Sequence, residues 1–282
     1  MILDLITERA DLLTTAERRV GEVVAREPEV VAFGTVAEIA ERSGTSGPSV
    51  MRFAAKLGFG GYSALQAAVR GELADQLRPA AERIRQEQRG DILESAEATE
   101  VANVLRTLRA VRRPTFDAVV DLLADPGRQI VVLPGEVTLP MGGLLARMLD
   151  QLRDDVYLSE GAEMRVSRDL ARLGPGDVVV AVDLRRYERW LVPMVDHAAD
   201  RGAIVVAITD SPLAPIARVA EHVLLVAAAG TGPFDSLVGV QALVNALVTG
   251  VASRARDGAT GRLDAIEAAR RATRVLLEPD DA

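Results

Sequence analysis

The stretch TVAEIAERSGTSGPSVMRF, residues 35–53, reads as a helix, a short turn containing glycine, and a second helix opened by small polar residues. Thr35 can cap the first helix, and Glu38, three residues on, completes a capping box. Gly44 suits the positive-φ turn that ends a helix. Ser46 stands at the cap of the second helix, with Pro48 in its first turn. Val36, Ile39, Ala40, Val50, Phe53 and Leu57 are the apolar positions that lock the two helices together. A helix-turn-helix needs this pattern, because the second helix enters the major groove by its N-terminal end and bulk there would block entry.

The flanks extend the helical reading. Upstream, Thr14 or Thr15 can cap a helix whose apolar stripe is Val20, Val23 and Val24 and which Pro28 ends. Downstream, Gly58-Phe59-Gly60-Gly61 ends the second motif helix, and a last helix runs from Tyr62 to about Leu77. The chain carries a formal charge of −8, yet Arg42, Arg52, Lys56 and Arg70 are the only charged residues from 42 to 71. That local excess of basic charge is the footprint of a nucleic-acid partner. Thr45, Ser46 and Ser49 can donate hydroxyls to phosphates or base edges, and Arg52 projects one turn further. Lys56 and Arg70 would neutralise phosphates.

These residues closely resemble the N-terminal domain of RpiR-type regulators, whose pattern is T-x-x-E-L-A, S-x-x-T-V-x-R-F and K-L-G-F-x-G-[FY] after an opening L-T-x-x-E. The opening is Leu13-Thr14-Thr15-Ala16-Glu17, and the rest follows from Thr35 through Ser46, Arg52 and Phe53 to Lys56-Leu57-Gly58-Phe59 and Gly61-Tyr62. The match spans about residues 3 to 77 without a gap. The resemblance implies a double-stranded DNA operator as partner, a homodimer or homotetramer, and a second half that is a SIS domain sensing a small effector.

From Arg128 the residues change rhythm. Ile130–Leu133, Val156–Leu158, Val178–Val182, Ile204–Ile208 and Val223–Val226 are short β-branched runs separated by stretches of helical spacing. Strands apolar on both faces and alternating with helices predict a five-stranded parallel sheet with helices on both sides. The fold class is α/β overall: an all-α helix-turn-helix domain at 1–77, then a three-layer α/β/α SIS-like domain at 114–282. Residues 78–113 read as a helical connector, either a solvated linker or a dimer-forming element.

The ligand motifs depart from the family. SIS regulators place G-x-G-x-S after the first strand, where this chain has Pro134-Gly135-Glu136-Val137-Thr138 and only Thr138 offers a hydroxyl. After the third strand the family has S-x-S-G-x-T-x-E, and here stand Asp183-Leu184-Arg185-Arg186-Tyr187-Glu188. Two readings stay open. Arg185 and Arg186 form a bidentate clamp for an anion, with Tyr187 adding aromatic surface, or the pocket has degenerated into a solvated loop. Gly135, Thr138, Asp183, Arg185, Arg186 and Tyr187 are therefore the candidate ligand residues, at the strand ends where open α/β sheets bind ligands.

Composition excludes several classes. The chain has 282 residues, enough for two cores, with 49% hydrophobic and 26% charged residues. Cysteine is absent and there are two histidines, so no metal site, thiol nucleophile or disulfide framework is expected. The opening MILDLITERADLL lacks a basic n-region, and no run of about 18 apolar residues occurs, so neither a signal peptide nor a membrane span is expected and the setting is cytoplasmic. No G-x-G-x-x-G follows the first strand, so no dinucleotide cofactor is expected. The expected function is a DNA-binding regulator, without catalytic residues, that senses an anionic or sugar-like metabolite. A sugar-phosphate isomerase with an added helical domain is the alternative, and Glu136 and Glu188 would be its bases.

Overall fold

Two capping boxes frame the first unit in the computed structural model, which describes residues 2–76, 79–85 and 90–275. Thr14 caps α2 (Thr15–Arg26): the Glu17 carboxylate accepts the Thr14 N–H, and the Thr14 hydroxyl accepts the Glu17 N–H. Thr35 and Glu38 repeat the arrangement at the start of α4 (Val36–Arg42). Each box satisfies two donors that a helix start leaves orphaned. Gly44 takes the turn at φ +57°, and α5 (Gly47–Lys56) follows. The unit, residues 1–86, also holds α1 (Ile2–Glu8), α3 (Pro28–Phe33), α6 (Tyr62–Gln76) and α7 (Ala80–Arg83). Its core is built from Val20, Val24, Ile39, Val50, Phe53 and Leu65, all buried. Every apolar position assigned to the motif lies in or against that core. Pro28 ends α2 as expected and also opens α3, a helix that the periodicity did not announce.

The second unit, residues 87–282, contains α8 (Ile92–Ala110), α9 (Arg113–Ala124), β1 (Ile130–Pro134), α10 (Leu139–Asp150), β2 (Val156–Leu158) and α11 (Glu163–Leu170). It continues with β3 (Val178–Val182), α12 (Leu191–Asp200), β4 (Ile204–Thr209), β5 (His222–Leu225), α13 (Val238–Arg254) and α14 (Arg256–Thr273). The five strands are parallel in the order β2-β1-β3-β4-β5. Alternation sorts the two faces. Ile130, Val132, Val178 and Val180 face α9, α10 and α13, while Val131, Leu133, Val179 and Ala181 face α11 and α12. All five predicted strands are present, and the sheet is covered on both sides. Of the stretches of helical spacing between the strand runs, the one between β4 and β5 forms only a 3-10 turn, Pro215–Arg218.

The connector differs from the linker reading. Its boundary at 77/78 lies outside the described residues, but α8 belongs to the second unit. Asn103 donates to the Ala229 carbonyl at 2.8 Å and accepts the Ala229 N–H at 3.1 Å, while the Thr107 hydroxyl accepts the Ala227 N–H at 2.9 Å. Both side chains are fully buried, so α8 serves as the edge partner for the strand-like backbone that follows β5. Among the described residues, no single helix is long and apolar enough to cross a membrane.

Candidate functional site

In the first unit, α5 turns one face inward and one outward. Val50, Phe53 and Leu57 lock the inner face. Ser46, Pro48, Met51, Arg52 and Ala55 are exposed, and Met51 keeps 45% of its surface. Spacing alone could have marked Met51: with 50, 53 and 57 inside, 48, 51, 52 and 55 must face out.

The five DNA-binding candidates separate on this geometry. Ser46 sits at the N-cap without a side-chain cap bond, and its hydroxyl lies 3.1 Å from that of Ser49. Thr45 shares a hydrogen bond with Ser43 at 2.7 Å, which stiffens the turn. Ser49 is only 4% exposed and accepts from Arg52 Nη2 at 3.1 Å, so it steadies Arg52 and is not itself presented to a groove. Arg52 has 60% of its side chain in solvent.

Lys56 departs most from the phosphate role expected of it. Its Nζ donates to Glu17 Oε2 and to the Leu12 carbonyl, each at 2.7 Å. Burial pushes the Glu17 carboxyl up, but the Lys56 hydrogen bond and the Thr14 donors outweigh that and hold it at about 2. Lys56 therefore ties α5 to α2. The other expected cations are also engaged: Arg42 pairs with Glu27, and Arg70 donates to the Ala32 carbonyl above the Phe33 ring. Arg42, Arg52 and Arg70 are all exposed, and of these Arg52 is the one on the outward face of α5.

In the second unit the candidate ligand residues do converge. Register sets Pro134, Val182 and Ile208 side by side, so the loops after β1, β3 and β4 leave the sheet together. This is the topological switch point, because the chain order reverses between β1 and β3. What fills the edge is acid. Glu188 reaches across to accept the Glu136 backbone N–H and also accepts from Trp190 Nε1. A Cβ on Gly135 would stand 2.8 Å from Glu188 Oε1, so glycine there leaves room for a carboxylate of the same chain.

The remaining candidates are bound into that cluster. Thr138 is 1% exposed and donates to the Val182 carbonyl at 2.6 Å, so its hydroxyl fastens the loop and faces no ligand. Asp183 accepts the Glu188 N–H at 3.1 Å. Burial, with the nearby charges of Glu188 and Asp210, pushes its carboxyl up to about 7. Tyr187 donates to Asp210 at 3.1 Å, and burial beside that acid pushes its phenol up. Burial also raises Asp210, against the pull of Arg185.

Arg185 is not half of an open clamp. Its Nε lies 3.2 Å from Asp235 and 3.5 Å from Asp210, and its Nη2 donates to the Ala228 carbonyl at 2.6 Å. Arg186 is exposed at φ +68° and makes no hydrogen bond or ion pair with a described residue. A non-glycine residue held in that region marks strain at the site. Glu136 and Glu188, the bases of the enzyme alternative, are paired with no basic side chain among the described residues. The described residues also include no cluster of three or more potential metal ligands.

Similarity to known proteins follows the same two units. Residues 1–76 match the helix-turn-helix domain of the rpiR family, and residues 123–250 match the SIS domain. The chain is 28% identical over 225 residues to the HTH-type transcriptional regulator HexR of Pseudomonas aeruginosa, covering 76% of this chain and 75% of that one. It also matches the bifunctional protein glk of Paraburkholderia xenovorans at 28% identity, spanning 34% of that longer protein. Among solved structures, the sugar isomerase domain of an RpiR transcription factor from Sphaerobacter thermophilus aligns with TM-score 0.58 and 30% identity, over 63% of this chain and 99% of that one. The Vibrio vulnificus NanR protein, complexed with ManNAc-6P, shares the fold along 99% of this chain at TM-score 0.57 and 18% identity. With its capped helix-turn-helix and its five-stranded parallel SIS sheet, the chain belongs to the RpiR family of transcription regulators.

Proposed function

We propose that the protein binds a double-stranded operator through the outward face of α5, as a homodimer or homotetramer, and that a small sugar-related metabolite at the ends of β1, β3 and β4 tunes that binding. The observation that carries the reading is the face itself: Ser46, Met51 and Arg52 stand exposed just beyond the Gly44 turn, while Val50, Phe53 and Ala54 lock the opposite face of α5 into the core. Arg52 has the fork that reads guanine, and Met51 offers apolar contact to a thymine methyl. Two such helices on a symmetric assembly would meet half-sites one helical turn apart.

On the sensor side, an effector's anionic group entering the loop after β1 must displace the Glu188 carboxylate from the Glu136 N–H. Arg186 is a cation free to receive it. Such exchange would shift the populations of two loop arrangements and, through them, the spacing of the DNA-binding units.

The test is fluorescence anisotropy on the DNA upstream of the protein's own gene, at physiological salt with excess competitor, repeated across a panel of sugars and sugar phosphates. Specific binding tighter than about 100 nM that one of these compounds shifts is expected. Binding indifferent to sequence would sink the regulator reading. Specific binding that no compound shifts, in wild type and in Glu188→Gln alike, would sink the sensor half.

A further inference from the structure

The open edge of the sheet holds a second polar feature, away from the loops just described. A cleft of about 420 Å³ lies between edge strand β2 and α11. Tyr157 and its strand neighbours form one wall, and Arg165, Arg168 and Arg172 form the other, with Asp169 between them. The volume falls within the range of small-ligand sites.

The arginines are not equivalent. Arg165 lies 4.0 Å from Asp169, which also accepts from Ser159 at 3.2 Å, so that pair is internally balanced. Arg168 makes no hydrogen bond or ion pair with a described residue. Arg172 has its guanidinium 5.7 Å from the centre of the Tyr157 ring and no carboxylate partner among the described residues. Arg168 lies in the last turn of α11 and Arg172 two residues beyond its end, and both line the same cleft.

We propose that this cleft binds the phosphate group of a small organic phosphate monoester, bridged by Arg168 and Arg172, with the organic part lying on Tyr157. Two uncompensated guanidiniums match a dianion, whereas a carboxylate would neutralise only one of them. Two planar forks lining one cleft also provide enough donors for three phosphate oxygens. The wall formed by β2 gives the ligand a flat aromatic surface, which an inorganic ion would not use.

Phenyl phosphate is the probe, since it carries one dianionic head and one ring. Calorimetric titration of the full chain should show binding that weakens at least tenfold in the double variant Arg168→Gln/Arg172→Gln. Tyr157→Leu should weaken phenyl phosphate but leave inorganic phosphate unaffected. Both arginines are exposed, so without ligand the double variant should melt no lower than wild type, and the ligand should raise the melting temperature of wild type more than that of the double variant. Failure of wild type to bind would overturn the proposal. So would equal binding by the double variant, or loss of binding in Arg186→Gln alone, which would place the phosphate at the loops after β1 and β3.

Discussion

Glu17 in the first unit and Asp183 in the second are almost equally hidden, at 1% and 4% exposure, and burial leaves them in opposite states. Glu17 faces Lys56 Nζ at 2.7 Å and the Thr14 N–H at 2.8 Å, and its carboxyl is held at about 2. Asp183 is buried with only backbone donors, from Glu188 and Leu184, and stands near the charges of Glu188 and Asp210, so its carboxyl is pushed up to about 7. Desolvation disfavours the ion in both places, and the partners decide the outcome. The first network is complete, as suits a scaffold that must present α5 in one orientation. The second gathers more acid than Arg185 can balance. Surplus charge of that kind clusters where a protein is built to change its contacts.

The largest effect should come from breaking the complete network. Glu17→Gln leaves Lys56, which keeps 34% of its side chain in solvent, without its counter-ion and should cost the first unit about 2 kcal/mol after allowance for screening. For a helical domain of that size this is a fall of roughly 10 °C or more in its thermal transition. The pH dependence follows from the sign of the shift. A carboxyl lowered from 4.5 to about 2 contributes its full stability above about pH 4.5 and loses it as the pH falls toward 2, so the gap between wild type and variant should close in that window. A variant as stable as wild type at pH 7 would show that the contact joining α2 to α5 is ornamental. Lys56→Met should behave likewise, lowering stability first and DNA affinity only as a consequence.

Arg52→Ala separates presentation from scaffolding within the same unit. Its side chain is mostly in solvent and lies 3.6 Å from Glu17, a contact that Lys56 makes better. The expected cost is about 1–3 kcal/mol on the specific operator, with relaxed base preference, and little change in melting temperature. Unchanged operator affinity, measured by anisotropy against scrambled DNA, would move the reading face elsewhere on α5.

The same contrast explains what could be read from residues alone. Capping boxes act over three residues and strand alternation over two, so Thr14, Thr35, the Gly44 turn and all five strands were legible. Ser49 was legible too, had the spacing been followed through, since it lies beside Val50 on the buried side of α5. Lys56 was not, because its carboxylate partner lies 39 residues away. Arg185 was not, because Asp210 is 25 residues on and only the parallel register of β3 and β4 brings the two together. The helix α8 read as a linker because Asn103 and Thr107 meet their partners across at least 120 residues. Periodicity carries the fold, but a site depends on pairs that only the finished topology creates.

The smallest expected effect tests the other side of the comparison. A carboxyl raised from 3.8 to about 7 is protonated in the folded chain where the unfolded chain is already ionised. Its stabilising contribution is therefore complete below about pH 4 and is lost as the pH rises through 7. Asp183→Asn keeps an oxygen to accept the Glu188 N–H and removes the charge that Glu188 and Asp210 oppose. The variant should match wild type near pH 4 and exceed it by about 1 kcal/mol at pH 8 in urea unfolding. Asp210 is raised in the same direction, so the pH slope of the second unit should shrink without vanishing. An Asp183→Asn chain less stable than wild type at pH 8 would mean that the carboxylate at the end of β3 is a satisfied structural ion like Glu17. The acidic edge would then have no strain for an effector to relieve.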